Sequence, residues 1–296
     1  MNSRTMRRFQ GYLFISPWLI GLVGLTLGPM LLSLYYSFNE YDLFQPAKFI
    51  GLGNYNTMFF NDRLFWISMR NTAIYTMGRV PIVMGSSLVV ALLLNQPIPF
   101  RNFLRTAYYL PSVVPAVAMY IIWVWLFEPQ VGLVNYFLSL LGISGPLWLG
   151  SIKWAMPALI GMSIWGIGGT MVIFLAGLQG VPEHLYEAAE LDGASAMQRL
   201  LHITLPMVSS VVFFNLIMTI IHSFQVFGQA YVMTSGGPAY ATLTIVLYIY
   251  EQAFNWFRMG YGSGLAWVLF AVLSAFTAFI FRSSTPWVYY ESGGRA

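Results

Sequence analysis

The sequence predicts an all-α polytopic membrane protein with six transmembrane helices, and three observations carry that reading. Hydrophobic residues make up 58% of the chain and charged residues only 8%, against roughly 25% charged in an average soluble domain. Mean hydropathy is +0.67, more apolar surface than a soluble core of this size could hide, so lipid must cover part of it. Six apolar segments are long enough to cross a bilayer. None alternates in the manner of a barrel strand, so helices must do the spanning.

The first segment, Tyr12–Phe38, follows Arg4, Arg7 and Arg8. It is longer than the apolar part of a secretory leader, and no small-x-small cleavage site follows it, so it reads as a span. The others are Thr72–Leu94, Ala107–Phe127, Ala155–Leu178, Leu205–Met233 and Gly264–Phe281. The last is short. The fifth is long enough to tilt or to continue past the bilayer. Pro29, Pro81, Pro111, Pro115, Pro157 and Pro206 lie within or at the edges of the spans, where an interior proline removes a backbone hydrogen bond and bends its helix. Aromatic residues gather at the ends of apolar runs, as at Tyr108, Tyr109, Trp123, Trp125, Trp148 and Trp154, which suits the membrane–water interface.

Charge sets the orientation. With the N-terminus inside, Arg4, Arg7, Arg8, Arg101, Arg105, Arg199, Arg282 and Arg295 fall on cytoplasmic segments. Lys48, Arg63, Lys153 and Arg258 fall outside, with Arg70 at a border. The excess predicts both termini in the cytoplasm. Two long outer stretches, Asn39–Arg70 and Tyr231–Ser263, carry turn residues and aromatics, the second including Ser235-Gly236-Gly237-Pro238.

Several functions are excluded. With no cysteine, there is no disulfide, lipoprotein anchor, thiolate metal site or thiol nucleophile. The net charge of +4 is scattered and forms no stripe for nucleic acid. His184, His202 and His222 lack metal-ligand spacing, and no catalytic constellation is visible. There is no nucleotide-binding Gly-rich loop, so this chain is expected to bind no cofactor or metal and to hydrolyse no ATP by itself.

The most informative segment runs from Pro182 to Pro206 between spans four and five. Pro182 suits a first helical position and Glu183 the positive end of a helix. Asp192-Gly193 stops that helix, glycine taking the left-handed conformation. Ser195 and Gln198 then match the S-x-x-Q capping box of a second helix, on which Met197, Leu200, Leu201 and Thr204 share a face. Leu185, Ala188 and Ala189 put small and apolar side chains on one side of the first helix, where another protein can approach closely.

This segment resembles the EAA loop of ABC-importer permeases: Glu187-Ala188-Ala189, then Gly193, then Ile203-Thr204-Leu205-Pro206, with Asp192 and Ala194 agreeing with the longer pattern. Phe49-Ile50-Gly51-Leu52-Gly53-Asn54-Tyr55, Ser235-Gly236-Gly237-Pro238 and Tyr248-Ile249-Tyr250 are similar to the carbohydrate-uptake, maltose-type class of that family. The resemblance covers about Tyr12 to Trp287. It implies an ABC type I importer permease fold, a single transmembrane domain over 1–296 with a coupling loop at about 180–204. It also implies a multi-pass protein of the bacterial cytoplasmic (inner) membrane. A second permease, two ATPase subunits holding ATP and Mg, an extracytoplasmic solute-binding protein and a sugar or oligosaccharide substrate would be its partners. Glu187, Ala188, Ala189, Asp192, Gly193 and Ala194 would couple to the ATPase. An importer for glycerol phosphate or a polyamine is the alternative within the family. An ion-coupled secondary transporter is the alternative outside it, though no acid sits centrally in a span.

Substrate candidates follow from polar residues inside spans. Asn215, Thr219, His222 and Gln229 share one face of span five, flanked by Gln225. Span four offers Trp165, Gly166, Gly168, Gly169 and Thr170, an aromatic face beside glycines that permit close approach. The same polar stripe could instead bond helix to helix. Arg79, about two turns inside the outer end of span two, reads as snorkelling or as pairing with a neighbouring helix, ahead of the alternative of a role in gating or substrate contact.

Overall fold

The computed structural model describes residues 3–284 and 286–289, with side chains from residue 12 onward. Arg295 lies outside the described residues, as do the side chains of Arg4, Arg7 and Arg8. In chain order, α1 (Ser3–Gly21) runs through a π-helical stretch, Leu22–Leu27, into α2 (Gly28–Ser37). Strands β1 (Asn39–Glu40) and β2 (Lys48–Phe49) follow, then α3 (Gly53–Asn56), α4 (Arg63–Asn95), α5 (Arg101–Tyr109), α6 (Ala116–Leu126) and α7 (Leu133–Leu140). Next come α8 (Ala155–Met162), α9 (Gly168–Gln179), α10 (Glu183–Leu191), α11 (Ala196–Arg199), α12 (Leu205–Met207) and α13 (Ser209–Phe224). The chain ends with α14 (Gly228–Thr234), α15 (Ile245–Tyr250) and α16 (Met259–Ser284).

Three helical segments are long, apolar and continuous, namely Tyr12–Ser37, α4 and α16. Three more candidate spans are bent pairs, and here the structure corrects the predicted spans. The segment expected at Ala107–Phe127 turns by 94° between Ser112 and Ala116. Pro111 and Pro115 lack the N–H a continuing helix needs, and each disfavours helical geometry at the residue before it; Pro115 sits at φ −54°, ψ 130° as the cap of α6. The Ala155–Leu178 span bends by 46° around Ile167, where Gly166, Gly168 and Gly169 weaken helical preference. The expected Leu205–Met233 span is not one helix. It bends by 68° at Val208, stops at Phe224, and resumes as the separate α14. Thr244 Oγ1 donates to the Val226 carbonyl at 2.9 Å, satisfying a group the break exposes. By contrast Pro81 does not interrupt α4. Helices reach into the outer stretches: α4 begins at Arg63, and α15 and the first turn of α16 lie within Tyr231–Ser263.

The chain forms two compact units. One comprises the chain up to Arg63 together with Ile249–Phe270; the other comprises Leu64–Tyr248 and the chain from Ala271. In the first, the Gly-Leu-Gly-Asn-Tyr motif has a structural explanation. Gly51 takes φ +58°, and the buried Asn54 donates to the carbonyls of Ser37 and Asn39, both at 2.9 Å. β1 and β2 pair antiparallel, Asn39 opposite Phe49. Apolar side chains such as Phe14 and Leu25 are 82% exposed, as a lipid- or subunit-facing helix requires.

Among its described residues the second unit packs in two cores. Tyr75, Met119, Phe127, Leu159, Met162 and Val226 pack in one; Ala91, Leu94, Met171, Phe174, Leu178 and Val208 pack in the other. Gly168 makes the packing of α9 possible, since a Cβ there would lie 2.4 Å from the Tyr108 carbonyl oxygen. The Ser235-Gly236-Gly237-Pro238 turn, with a cis Gly237–Pro238 bond, leads into a segment held by the buried Asn71. Its Nδ2 donates to the carbonyls of Tyr240 (2.8 Å) and Leu243 (3.0 Å).

Candidate functional site

Two sites emerge within the second unit. The first is the loop after α9. Pro182 stands at φ −62°, ψ 130° as the cap of α10 and not as its first residue. The helix stops at Asp192, and Gly193 takes φ +76°, the conformation a glycine adopts without steric cost. Ser195 then starts α11 with a complete capping box. The Gln198 amide N–H donates to Ser195 Oγ at 3.4 Å, and Ser195 N–H donates to Gln198 Oε1 at 2.8 Å. The second helix does not end within the loop. It continues through a π-helical stretch, Leu200–Thr204, into α12 and the start of span five.

Two further bonds clamp α10 to this second helix. Arg199 pairs with Glu190, and the Tyr186 hydroxyl hydrogen-bonds Thr204 Oγ1 at 2.9 Å. The angle between the two helices is therefore fixed from both sides. Outward the loop shows Glu187, Ala188, Asp192 and Gly193, all exposed, while Ala189 and Ala194 are half-buried. Leu191 is 90% exposed and Met197 62%, an apolar surface that none of the described residues covers. The expected shared face on the second helix divides, with Met197 and Leu201 exposed, Leu200 half-buried and Thr204 buried. A cleft of about 460 Å³ opens beneath, bounded by Leu92, Asn95, Tyr186, Met197 and Leu200.

The second site is a cavity of about 220 Å³ where interrupted helices converge. Pro111, Ser112, Val114 and Ala116 come from the break before α6. Met162, Ser163, Trp165 and Gly166 come from the bend before α9, and Gln229 comes from the start of α14. Tyr120 and Arg79 complete it. Non-helical backbone at membrane depth is tolerated where it lines such a space, and discontinuous helices are a recurrent way to build a transport site.

Here the predicted polar stripe comes apart. Asn215 and Thr219 are buried on α13 against this chain's own helices, at 2% and 5% exposure. Thr219 Oγ1 lies 3.8 Å from Met84 Sδ. His222 and Gln225 are exposed. Gln229 is on a different helix, so it does not share their face; its Oε1 accepts from the Tyr75 hydroxyl at 2.5 Å and its Nε2 donates to the Leu159 carbonyl at 3.1 Å. Both ends of Gln229 are thus spent on holding α4, α8 and α14 together. Trp165 is half-exposed and lines the cavity. A Cβ at Gly169 would meet nothing within 4 Å, in contrast to neighbouring Gly168.

Of the two expectations for Arg79, snorkelling and pairing with a neighbouring helix, the structure shows the second. Because α4 begins at Arg63, Arg79 lies equidistant from its two ends, about 24 Å from each at 1.5 Å per residue. Helix pairing does occur: Nη1 donates to Ser223 Oγ at 2.8 Å and to the Thr219 carbonyl at 3.3 Å. An arginine at the middle of a span costs about 2.5–3.5 kcal/mol on insertion scales and marks function by default. Tyr75 and Tyr120 were not foreseen. The proline pair at 111 and 115 was the signal that a break, and hence a lined space, lay beside them.

Against this geometry the comparisons with known proteins can be read. The profile of the family described as binding-protein-dependent transport system inner membrane component matches residues 81–287. The probable ABC transporter permease protein YesP of Bacillus subtilis (strain 168) is 41% identical, the match covering 98% of this chain and 96% of that protein. The sulfoquinovosyl glycerol transport system permease protein SmoG of Agrobacterium fabrum (strain C58 / ATCC 33970) is 36% identical, over 93% of this chain and 90% of that one. In fold, the chain is similar to one from a bacterial alginate ABC transporter, solved in complex with an alginate pentasaccharide-bound periplasmic protein. The TM-score is 0.83 at 23% identity, covering 94% of this chain and 95% of that one.

Proposed function

Since this chain belongs to the family of binding-protein-dependent transport system inner membrane components, we propose that it is one of two permease subunits of an ATP-driven importer for a sugar or oligosaccharide. The observation that carries the coupling role is the clamped, uncovered loop. Two short helices held at a fixed angle by Ser195, Gln198, Glu190, Arg199, Tyr186 and Thr204 expose Glu187, Ala188, Leu191 and Met197. A rigid element continuous with a transmembrane helix transmits displacement from a partner into the membrane. The partner we assign to it is an ATPase subunit, one of two that would hold ATP and Mg, as no Gly-rich nucleotide loop occurs in this sequence. Glu187, Ala188, Ala189, Asp192, Gly193 and Ala194 form the coupling surface. Glu187 accepts a charge-assisted hydrogen bond from the ATPase, worth roughly 1.5–3 kcal/mol.

On this reading a second permease completes the pore, an extracytoplasmic binding protein delivers substrate, and both termini lie with the loop in the cytoplasm. The saccharide cargo is supported by the name of SmoG and by the aromatic and polar lining of the cavity at Trp165 and Tyr120. Trp165 is its stacking face. Gln229 shapes the cavity, while His222 on α13 and Gln225 at its C-terminal cap, both exposed, face the second permease or the passing substrate.

The test is reconstitution. Uptake in proteoliposomes is expected only with the second permease, the ATPase and the binding protein present; uptake by this chain alone would refute the proposal. Glu187→Lys and Gly193→Asp are expected to abolish uptake, and to lower binding-protein-stimulated ATPase activity, in complexes that still assemble on gel filtration. Normal uptake and stimulation in both variants would show that the coupling site lies elsewhere. Since the chain has no native cysteine, a single cysteine at Ser195 reports orientation directly, and its labelling from outside would overturn the topology.

A further inference from the structure

Resting on that reading, we infer that the cavity around Arg79 is a subsite for an anionic group, the carboxylate or sulfonate of an acidic saccharide. The inference starts from charge. Arg79 is the only charged residue lining the cavity. It has no carboxylate partner within ion-pair distance among the described residues. Its contacts with α13 use Nη1 alone, to neutral acceptors. Nε and Nη2 have no hydrogen-bond partner among the described residues. A guanidinium is always charged and presents its donors as a planar fork that matches a carboxylate or sulfonate. A half-buried cation inside an apolar helix without a counter-charge is costly, and an anionic ligand removes that cost.

The rest of the lining agrees. The Gln229 amide is fully engaged with Tyr75 and Leu159, and Ser163 Oγ donates to its own helix at the Ile160 carbonyl. The groups left with free donors are the Tyr120 hydroxyl and the Trp165 indole N–H, neither of which has a partner among the described residues. The cavity therefore offers a cation and two neutral donors, and no acid to repel an anion. At about 220 Å³ it is smaller than the roughly 300–1,000 Å³ of a pocket that engulfs a whole ligand. It suits one charged ring, with Trp165 as its stacking face, while the remainder of the saccharide lies against the second permease. Gln229 and Ser223 act as positioning residues, holding the cavity wall and the guanidinium.

The experiment uses the complete importer in proteoliposomes and paired probes: digalacturonate against neutral galactobiose, and a 6-sulfonated glucosyl glycerol against glucosyl glycerol. The anionic member of at least one pair is expected to enter at least tenfold faster than its neutral counterpart. Arg79→Gln should collapse that ratio by tenfold or more, and Arg79→Lys, which keeps the charge but not the fork, should retain part of it. The ratio is the decisive readout, because a purely structural loss lowers both members alike. Preference for the neutral members would overturn the anionic assignment and leave the saccharide reading standing. A ratio unchanged in Arg79→Gln would also overturn it, and would indicate that a carboxylate of the second permease satisfies Arg79. Failure to take up any of the four probes would overturn the anionic assignment, while the importer reading is decided separately by the reconstitution test above.

Discussion

The coupling loop and the Arg79 cavity belong to the same compact unit, yet they are built in opposite ways. Every bond that shapes the loop joins near neighbours: Ser195 to Gln198, Glu190 to Arg199, Tyr186 to Thr204. The cavity is shaped by distant ones. Tyr75 meets Gln229 across 154 positions and Arg79 meets Ser223 across 144. The loop leaves apolar side chains uncovered, while the cavity wall is held by polar groups spent on internal partners, Gln229 and Ser163 among them. A surface meant for another protein can be specified locally and left unsatisfied. A lined space between helices has to be satisfied from within, so perturbing it should disturb folding, whereas perturbing the loop should disturb only coupling.

The strongest test of that contrast is Gly168→Ala. The new Cβ would sit 2.4 Å from the Tyr108 carbonyl oxygen and 2.8 Å from Tyr109 Cα, both backbone atoms that cannot swing aside. Overpacking of this kind typically costs about 1–3 kcal/mol. The purified complex should melt at a clearly lower temperature. Gly169→Ala is the matched control, since nothing lies within 4 Å of its Cβ, and its melting should be unchanged. Equal behaviour of the two would mean that α9 does not pack on the α5 segment as described.

Next in size is the Tyr75–Gln229 pair. Gln229→Leu leaves the buried Tyr75 hydroxyl and Leu159 carbonyl without their partner, at a cost of about 1–3 kcal/mol. Tyr75→Phe should be milder, and the double variant should be less destabilised than the two effects added together, because neither partner is then left orphaned. Additive melting shifts in the three proteins would break the claim that this bond holds the cavity wall.

The same contrast explains what could be read from the sequence. Loop features survive as spacing: an Asp192-Gly193 stop, a Ser195-x-x-Gln198 box and Glu187-Ala188-Ala189 are all visible in one stretch, and each has its expected geometry except that Pro182 caps α10 without entering it. Apolar composition likewise gave the number of candidate spans but not their breaks. A run such as Leu205–Met233 is uniformly apolar whether or not the helix stops at Phe224, and its stop depends on Thr244 reaching Val226. The polar stripe failed for this reason: Gln229 falls on the face of Asn215 and Thr219 only if the helix is unbroken. For Arg79 the expected pairing with a neighbouring helix is met at Ser223 and Thr219, while the full length of α4 is hidden by first turns whose Trp66, Ser68, Arg70 and Asn71 do not look like a span.

The smallest effect, and the sharpest test of the contrast, is Ser195→Ala. Removing the cap leaves Gln198 N–H without its acceptor and frees the Gln198 side chain from Ser195 Oγ; losses of this type run to about 1 kcal/mol. Because α11 is held to α10 at the Arg199–Glu190 and Tyr186–Thr204 contacts as well, the loop should not unfold. Its start should fray instead, and the ratio of held to frayed conformations should fall about fivefold for 1 kcal/mol. Melting of the complex should stay put, since neither core of the second unit includes Ser195. Uptake per ATP hydrolysed should drop a few-fold, and Ser195→Asn, another good cap, should recover most of it. A lowered melting temperature with unchanged uptake would reverse the assignment, making the loop a part of the fold and not a relay.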